Sequence, residues 1–578
     1  MDDFESLGFA SSAAEDPLLP SFGIVEFNAE AYLHSYADAS DAIASGEADS
    51  ALDHYLSVGR PERRLEAADY ILQLAGGCEE RPAHGQLSFN IEAFLMSESG
   101  FVFVVGWSDD RANALLSVSV VQDREGFNSR AIARCRRQDA EQALGFSGAH
   151  PFGFWLLDHA GLLAEGGVRP GLMLLRARFA DGRFSQVEMA PRIASDTELR
   201  ETALGHFASL SYLGNRDIEA FRQLDLGAGV ATMALNRRMS TGVTGAAYIE
   251  RFGPQRERFS ASFIVCLFGK VEYFFLQNAL FATGKGVADI EFVYVLNSPE
   301  LAESLHKEAR IAERIYGLTV TLVTLPDNAG FSAANNVAAR AARSGRLVFI
   351  NPDVFPRDDN WAQLHGAIIE DQPSSATTLF GAPLYYDDGS LMHGGMYFEI
   401  DKGLSVKSRG IESETLIRVE HYGKGAPAWS DVYSATRPVP AVTGAFISVD
   451  RDWFERLGGF NESFVFGHYE DADLCLNSLE AGVPAWLQNV RFWHLEGKGS
   501  VRRPVHEGGS LVNRWYFTRK WGNLIQSSLS GRKPSHALLQ ADRWEVPKPA
   551  RPAASAPAPA AGSRLKTFAT RLSRGDRS

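Results

Sequence analysis

Apolar and polar segments alternate from about residue 257 to residue 525, and this pattern predicts an α/β domain. Apolar runs of strand length are separated by segments in which apolar residues recur at helical spacing. The predicted strands are FSASFIVCLF, IEFVYVLN, LTVTLVTL and RLVFIN; the predicted helices are VEYFFLQNALFATG, PELAESLHKEARIAERIYG and SAANNVAARAARSG, the last closed by Gly345. This alternation is typical of a doubly wound, mostly parallel sheet, which binds ligands at the carboxyl ends of its strands.

The first half of the chain follows a different pattern, which predicts accessory domains. Residues 23–85 carry apolar and aromatic residues at helical spacing and are predicted to form a small helical module. Residues 86–195 contain β-rich runs such as FVFVVGW and LLSVSVV between turn sequences, which predicts an antiparallel, sandwich-like domain. The other predicted parts are a flexible leader (1–22), a helical connector (196–256), the α/β domain (257–530), and a Pro/Ala-rich linker with a basic tail (531–578).

Composition narrows the class of protein. With 578 residues the chain exceeds one hydrophobic core, and 45% hydrophobic and 22% charged residues indicate a soluble, globular protein. Its net charge of -14 argues against a nucleic-acid binder. The four cysteines are scattered and form no CxxC pair, so neither a zinc site nor a disulfide framework is indicated. No secretory signal or membrane-length apolar run is found, and we expect a cytoplasmic protein.

The basic tail allows two interpretations. In SRLKTFATRLSRGDRS, Leu565, Phe568 and Leu572 recur at roughly helical spacing among basic residues. Such a segment can contact an anionic membrane surface, which would place the protein peripherally at the inner face of the cell membrane. A solvated basic tail explains the same residues equally well.

Polar residues follow several of the predicted strands, at one edge of the predicted sheet. Asn297, the segment 326–328 and the segment Asn351-Pro352-Asp353 all fall there. Asp353 has two interpretations of equal weight. It is either an oxygen ligand for a divalent cation or the cap of a helix that begins near Asp358.

Two further clusters and one histidine carry candidate chemistry. In DNAGFSAANN, Gly330 permits a tight turn, Ser332 is a candidate helix cap, and Asn335 and Asn336 lie near backbone N–H groups that suit a phosphate. The alternative for this loop is ordinary turn chemistry.

The second cluster places Glu470, Asp471 and Asp473 just before an apolar helical pattern, with His468 beside them. Carboxylates at a helix N-terminus are favoured by the helix dipole, but such close like charges also raise a pKa, which suits a general base. His494 ends a strand-like run. A lone histidine is more often structural, unless the fold brings it to Asp353.

In this order the clusters resemble the family 2 glycosyltransferases of the GT-A fold, and in particular rhamnosyltransferase-like members of bacterial polysaccharide synthesis. The resemblance spans roughly residues 257–525. The matching motifs are the N-x-G-F-x-x-x-x-N loop (328–336), the I-N-P-D-V strand end (350–354), the D-G-x-x-x-H-x-G hairpin (388–395), AVTGAFISV, the GGFNE turn (458–462), E-D-x-D-L (470–474), H-x-x-x-x-x-S (494–500) and NRWYFTRKWG.

The resemblance implies inverting transfer of a sugar from a nucleoside-diphosphate sugar to a glycan or lipid-linked acceptor in surface polysaccharide synthesis. A divalent cation, Mg²⁺ or Mn²⁺, would be held by Asp353 and His494. Asp471 would be the catalytic base, with Glu470 as the second candidate. The implied substrate-binding residues are Asn297, Asn328, Gly330, Asn336, Asn351, His393 and Asp473.

Two positions depart from the family pattern. Asn351 stands where many members have the first Asp of Asp-x-Asp, which leaves a cation with one carboxylate fewer. Leu296 stands where an Asp often contacts the nucleotide base. These departures support an alternative, a catalytically weak or inactive scaffold of the same fold that binds glycan or nucleotide.

Overall fold

The computed structural model describes residues 37–45, 48, 54, 81–82, 89–121, 130–159, 172–212, 215–495, 503–529 and 538–539, with gaps at 149, 182, 255, 372–373, 408–409, 428–429 and 431. Of the predicted helical module, the helix Ala37–Ser45 is described. The predicted leader, the rest of that module, and the linker and basic tail lie almost wholly outside the described residues.

Two five-stranded sheets pack face to face in the first half of the chain. One contains Arg81–Pro82, Arg183–Met189, Met173–Phe179, Leu115–Val121 and Arg130–Ala131; the other contains Arg192–Ala194, Phe89–Ser97, Phe101–Ser108, Gly153–His159 and Ala133–Cys135, each in spatial order. The pairing is antiparallel except where Arg81–Pro82 and Arg192–Ala194 join their neighbours in parallel. A short helix, Gln138–Ala143, follows the strand Ala133–Cys135.

The second of these sheets is buried on both faces, which explains its continuous apolar runs. In Phe101–Ser108, Val102 and Val104 face the partner sheet, whereas Phe101 and Phe103 face the connector helices. Successive side chains of a strand point to opposite faces, so a strand covered on both sides needs apolar residues at every position.

The connector is helical up to Thr244 and then becomes a strand. Its helices are Asp196–Ser209, Arg216–Gln223 and Gly229–Thr244, with a π-helical segment at Leu224–Ala228. The strand Tyr248–Phe252 pairs antiparallel with Thr319–Thr324 at the edge of the next sheet. The prediction of a helical connector up to residue 256 is therefore wrong at its end, because an edge strand with exposed and charged residues lacks the apolar run of a buried strand.

A nine-stranded mixed sheet organises the second half. Its spatial order is Tyr248–Phe252, Thr319–Thr324, Ile290–Leu296, Ala261–Leu267, Arg346–Ile350, Phe446–Asp450, Leu379–Gly381, Ala485–Leu487 and Arg437–Val439. The second to fifth strands are mutually parallel. Among the flanking strands, Leu379–Gly381 and Ala485–Leu487 pair in parallel. The other flanking pairs are antiparallel, so the sheet is mixed instead of mostly parallel as predicted.

Helices cover both faces of the parallel strands, as predicted. Glu272–Ala282 and Ala302–Tyr316 pack on one face, and Gly330–Ala341 packs on the other. The remaining helices are Trp361–Asp371, Ser374–Thr378, Arg451–Arg456, Glu470–Glu480 and Pro504–Leu529, with 3₁₀ turns at Val287–Asp289 and Pro299–Leu301. The last long helix, Pro504–Leu529, is called the closing helix below.

Two further β-structures lie beside the central sheet. Val354–Pro356, Phe492–His494, Leu384–Tyr385 and Leu391–His393 form a four-stranded sheet, and Met396–Lys407 pairs with Gly410–His421 in a long hairpin. Among the described helices, none is both long enough and apolar enough to cross a bilayer.

The helix Gly330–Ala341 differs from its prediction at both ends. Ser332 lies inside the helix, so it is not the cap. The side-chain oxygens of Asn297 and Asn328 instead accept the N–H groups of Ala329 and Gly330 at the helix start. The chain leaves the helix through an extended Ala342, so no left-handed glycine is needed and Gly345 does not close it.

A buried charge joins the connector to the closing helix. Asp225 accepts hydrogen bonds from the indole N–H of Trp515, at 2.7 Å, and from the guanidinium of Arg519. The carboxylate is buried, so removing it would leave two donors without their acceptor in a poorly solvated place.

We expect Asp225→Ala to lower the free energy of unfolding by about 3 kcal/mol, the scale for breaking a buried ion pair by removing one partner. Urea unfolding followed by circular dichroism measures this. Glu303→Ala is the matched control, because its ion pair with Lys307 is exposed and removing it should cost about 0.5 kcal/mol or less. Equal effects of the two substitutions would contradict the assigned role of Asp225.

Candidate functional site

Strand pairing brings Asp353 to His494. Val354–Pro356 runs antiparallel to Phe492–His494, with Val354 opposite His494. The imidazole Nε2 lies 3.4 Å from Oδ1 of Asp353, and both side chains are buried. The sequence made His494 a candidate ligand only if the fold brought it to Asp353, and the structure does bring the two side chains together. The alternative role of Asp353 as a helix cap is wrong, since the helix begins at Trp361, whose N–H bonds to the Asp358 carbonyl.

Gln277, which the sequence analysis did not single out, binds both ends of the turn 351–354 that contains Asp353. Its fully buried side chain donates hydrogen bonds of 3.0 Å to the carbonyls of Asn351 and Val354. The signal available in the sequence was a Gln-Asn pair inside an otherwise apolar helix. Asn351 itself is half-buried and bonds through its backbone N–H to the Ala445 carbonyl.

The predicted asparagines at the neighbouring strand ends form one network. The Asn297 amide donates to Oδ1 of Asn328 at 2.8 Å, and this oxygen also accepts the N–H of Gly330. Gly330 has a φ of 79°, and a Cβ added there would lie 3.4 Å from the backbone of Phe466. Asn297, Asn328 and Gly330 are thus brought together at the carboxyl edge of the parallel strands. Leu296 just before them is a fully buried strand residue.

The two candidate bases begin the helix Glu470–Glu480. Oδ2 of Asp471 accepts the N–H of Gly444 at 2.7 Å, and Oδ1 accepts the N–H of Ala472 at 2.7 Å. Gly444 directly precedes Ala445, the partner of Asn351, so Asp353 and Asp471 flank the same edge of the central sheet.

The environment of the two carboxyl groups favours proton uptake. Burial, together with the charge of Asp471, raises the pKa of Glu470 well above its usual range. Oε2 of Glu470 is buried without a hydrogen-bond partner. Burial also raises the pKa of Asp471, against the opposing effect of its two backbone N–H donors. Carboxyl groups with raised pKa values are suited to accept a proton near neutral pH.

The loop before this helix has an unusual backbone that the sequence did not reveal. Phe466, His468 and Tyr469 have φ angles of 61°, 83° and 75°, the left-handed region. Each such residue without glycine's freedom costs about 1–3 kcal/mol and persists only where neighbours hold it. Residues 462–469 are called the base loop below.

Two predicted substrate-binding residues have other roles here. Asp473 is fully buried and accepts the indole N–H of Trp521 at 2.7 Å, with the Lys520 ammonium 2.9 Å away. Its predicted place in the site is corrected, because its carboxylate faces the closing helix. Asn336 exchanges hydrogen bonds with the backbone N–H and carbonyl of Phe460 and donates to the Glu462 carboxylate. Its amide therefore holds the GGFNE turn instead of lying free for a phosphate.

His393, a predicted substrate-binding residue, is fully buried. Its Nδ1 lies 3.1 Å from Nδ1 of His421, and Nε2 faces the N–H of Thr443 at 3.5 Å. Burial lowers the pKa of His393 well below its usual range, and His421 and His494 add to this. A neutral imidazole follows. Its neighbour His421, which the sequence analysis missed, is partly exposed.

The chemistry of the Asp353–His494 pair fits a divalent cation. It offers one carboxylate and one imidazole, and Nδ1 of His494 is buried without a hydrogen-bond partner. Within the described part of the chain no group of three or more His, Cys, Asp or Glu side chains is placed to hold a metal. A cation here would therefore take its other ligands from water and from substrate phosphates, as Mg²⁺ commonly does.

Comparisons with known proteins give partial likenesses. No family model matches the chain. The uncharacterized protein y4gI of Sinorhizobium fredii is 27% identical over 194 residues, which are 33% of this chain and 20% of that relative. The chain thus matches only a fifth of the relative's length.

Several glycosyltransferase structures are similar to part of the chain. GalNAc-T7 with UDP, GalNAc and Mn²⁺ has a TM-score of 0.33 at 13% identity, covering 50% of this chain and 57% of its own. The mannosyltransferase PcManGT of Pyrobaculum calidifontis with GDP-Man and Mn²⁺ has a TM-score of 0.30 at 16% identity, and the match covers 59% of this chain and 91% of the mannosyltransferase. TarS 1-349 of S. aureus has a TM-score of 0.29 at 12% identity, and the match covers 49% of this chain and 80% of TarS 1-349. Because these TM-scores and identities are low, the proposals below rest on this chain's own residues.

Because the pKa of Glu470 is raised in the folded protein, stability should fall as pH rises from the ordinary glutamate range through the folded pKa. We expect Glu470→Gln to stabilise the protein by about 1 kcal/mol or more at pH 7–8 and to lose this advantage near pH 4. Chemical denaturation across this pH range measures the effect.

Asp473→Asn is the contrasting control, since it weakens the ion pair with Lys520 and should destabilise at neutral pH. A Glu470→Gln variant that is less stable than the parent at pH 8 would contradict the prediction that the buried carboxyl group of Glu470 lowers the stability of the folded protein at this pH.

Proposed function

We propose that the protein is a cation-dependent, inverting glycosyltransferase that moves a sugar from a nucleoside-diphosphate sugar to a glycan or lipid-linked acceptor in surface polysaccharide synthesis. The observation that carries the proposal is the meeting of Asp353 with His494 at a sheet edge which Asp471 also flanks. The ordered motifs that resemble family 2 glycosyltransferases, including the rhamnosyltransferase-like strand end, support the same reaction.

Asp471 is the proposed base. Its side chain is half-buried, whereas Glu470 is buried, so Asp471 is the more accessible of the two to an acceptor hydroxyl. The N–H groups of Gly444 and Ala472 fix the direction of the carboxylate while leaving lone pairs free. The acceptor hydroxyl gives its proton to Asp471 while the oxygen of that hydroxyl forms a bond to the anomeric carbon of the donor sugar. The bond from that carbon to the diphosphate oxygen breaks with inversion.

Glu470, next to the base, is proposed to hold an acceptor hydroxyl. Its raised pKa keeps it protonated to a higher pH than an ordinary glutamate, so its carboxyl group has an O–H to donate. A neutral Glu470 beside Asp471 also avoids two adjacent buried negative charges.

Asp353 and His494 are the proposed ligands of the cation on the diphosphate. When bound, a divalent cation neutralises the charge that develops on the departing nucleoside diphosphate. Asn297, Asn328 and Gly330 are proposed for the nucleotide side, because they meet at the neighbouring strand ends. With Asn351 instead of a second carboxylate, the apo protein should hold the cation weakly and gain affinity when the diphosphate is present.

A second candidate is the inactive scaffold, which Asn351 and the two-residue ligand set favour. It predicts binding of glycan or nucleotide without sugar transfer. Turnover therefore separates the two candidates.

The test is release of nucleoside diphosphate and sugar transfer from a panel of UDP-, GDP- and dTDP-sugars with Mn²⁺ or Mg²⁺. We expect one donor to be turned over and its turnover to fall at least about 100-fold in Asp471→Asn, the usual scale for loss of a general base. A comparable fall is expected in Asp353→Asn, which removes the only carboxylate proposed to hold the cation. Asp358→Asn is the matched control for Asp353: it lies in the same segment, but its carboxylate pairs with Arg491, and its turnover should be nearly unchanged.

Turnover that survives both Asp353→Asn and Asp471→Asn would contradict the assignment of the site. A chain that binds nucleotide but transfers no sugar from any donor would favour the scaffold.

A further inference from the structure

The base loop is held from outside the central sheet by two buried asparagines. Asn513 belongs to the closing helix and Asn236 to the connector helix Gly229–Thr244. Both are almost inaccessible to solvent, with 1% of their surface exposed. Asn513 is the first residue of the NRWYFTRKWG motif, but the sequence analysis assigned no role to either asparagine.

Asn513 satisfies four backbone groups of the base loop. Its Oδ1 accepts the N–H of Val465 at 2.7 Å. The two N–H bonds of its Nδ2 are shared among three carbonyls, those of Val465 at 3.0 Å, Gly467 at 2.7 Å and His468 at 3.2 Å. These carbonyls belong to the stretch with left-handed φ angles, so one side chain holds the strained turn together.

Asn236 holds the other end of the loop. Its Nδ2 donates to the carbonyls of Glu462 at 3.0 Å and Phe464 at 3.4 Å. Its Oδ1 accepts from the guanidinium of Arg200 at 2.8 Å, and this guanidinium lies over the ring of Phe466, 4.6 Å from its centroid. A chain of polar contacts thus runs from the connector into the loop.

The loop in turn fixes the helix that carries the proposed base. Tyr469, in the left-handed conformation, is the cap of Glu470–Glu480, and its carbonyl accepts the N–H of Asp473. On the other side, the N–H of Phe331 donates to the Phe466 carbonyl at 2.6 Å, next to Gly330. The loop therefore lies between the first turn of the base helix and the loop proposed for the nucleotide.

We infer that Asn513 and Asn236 are positioning residues of the proposed transferase, which hold the base loop in the one conformation that presents Asp471 to the acceptor. The inference rests on the proposed function for its catalytic part. By this inference the connector and the closing helix each contribute a residue that the catalytic site needs, although both lie outside the parallel strands. The described side-chain hydrogen bonds of the two asparagines do not reach the cation ligands Asp353 and His494, so their loss should affect kcat more than donor binding.

The test compares Asn513→Ala and Asn236→Ala with Asn523→Ala, an exposed amide on the same closing helix. With the donor found in the panel above, we expect kcat to fall about 100-fold in Asn513→Ala and less in Asn236→Ala, because a misplaced group costs about this much. The change in KM for the donor should be much smaller than the change in kcat. Hydrogen exchange should become faster in peptides covering residues 462–469 and stay unchanged in the parallel strands. Asn523→Ala should match the parent in both readouts.

A fall in kcat that only follows the folded fraction, or a rise in KM for the donor with kcat unchanged, would overturn the inference. So would unchanged exchange in the base loop of both variants. If Asn513→Ala does not fold, Asn236→Ala, which removes fewer hydrogen bonds, tests the same loop from its other side. Absence of turnover in the unsubstituted protein would contradict the proposed function, whereas parental kcat in both variants would overturn the inference alone.

Discussion

The pairing of Val354–Pro356 with Phe492–His494 is the contact on which the candidate site depends. It joins the end of a parallel strand to a segment far along the chain and places a buried carboxylate beside a buried imidazole. Such a pair is poorly solvated, so each group interacts strongly with any charge that comes near it. Gln277 stabilises the turn that contains Asp353 by donating hydrogen bonds to two of its carbonyls. The antiparallel strand Phe446–Asp450 continues the same edge of the sheet toward Asp471.

The site combines two kinds of strain that the rest of the structure has to offset. Glu470 and Asp471 are adjacent carboxyl groups with raised pKa values, and the base loop contains three residues with left-handed φ. Both cost stability. Surrounding interactions hold them in place: Asn513 and Asn236 bind the loop backbone, Asp473 ties the base helix to Trp521 and Lys520, and Asp225 ties the closing helix to the connector. Stable surroundings of this kind are what allow reactive groups to be kept in costly positions.

The parallel strands and the edge that carries the site were predictable, because they depend on local pattern. Ile290–Leu296 and Arg346–Ile350 are fully buried runs, and the polar residues Asn297 and Asn351 that follow them fall at one edge of any parallel sheet. The edge strand Tyr248–Phe252 was not predicted, because its residues are mostly exposed at the sheet margin. The antiparallel direction of buried flanking strands such as Phe446–Asp450 was not predicted either, because it is set by pairing with distant segments and not by local pattern. Ser332 was misassigned because Asn297 and Asn328 accept the N–H groups at the start of that helix. Gly345 was misassigned because the helix already ends at an extended Ala342.

Residue roles set by long-range contacts could not be taken from sequence. Asp473 and Asp471 lie two positions apart in one motif, yet one faces the closing helix and the other the Gly444 turn. Asn336 likewise holds a distant turn.

The central claim, that Asp353 and His494 hold the cation of a nucleoside diphosphate, is tested most directly by electron spin-echo spectroscopy of bound Mn²⁺ with UDP, GDP or dTDP. The account predicts a coupling between Mn²⁺ and an imidazole nitrogen that appears with diphosphate present and is lost in His494→Ala. Mn²⁺ bound with diphosphate but without nitrogen coupling, or with the same coupling in His494→Ala, would contradict it.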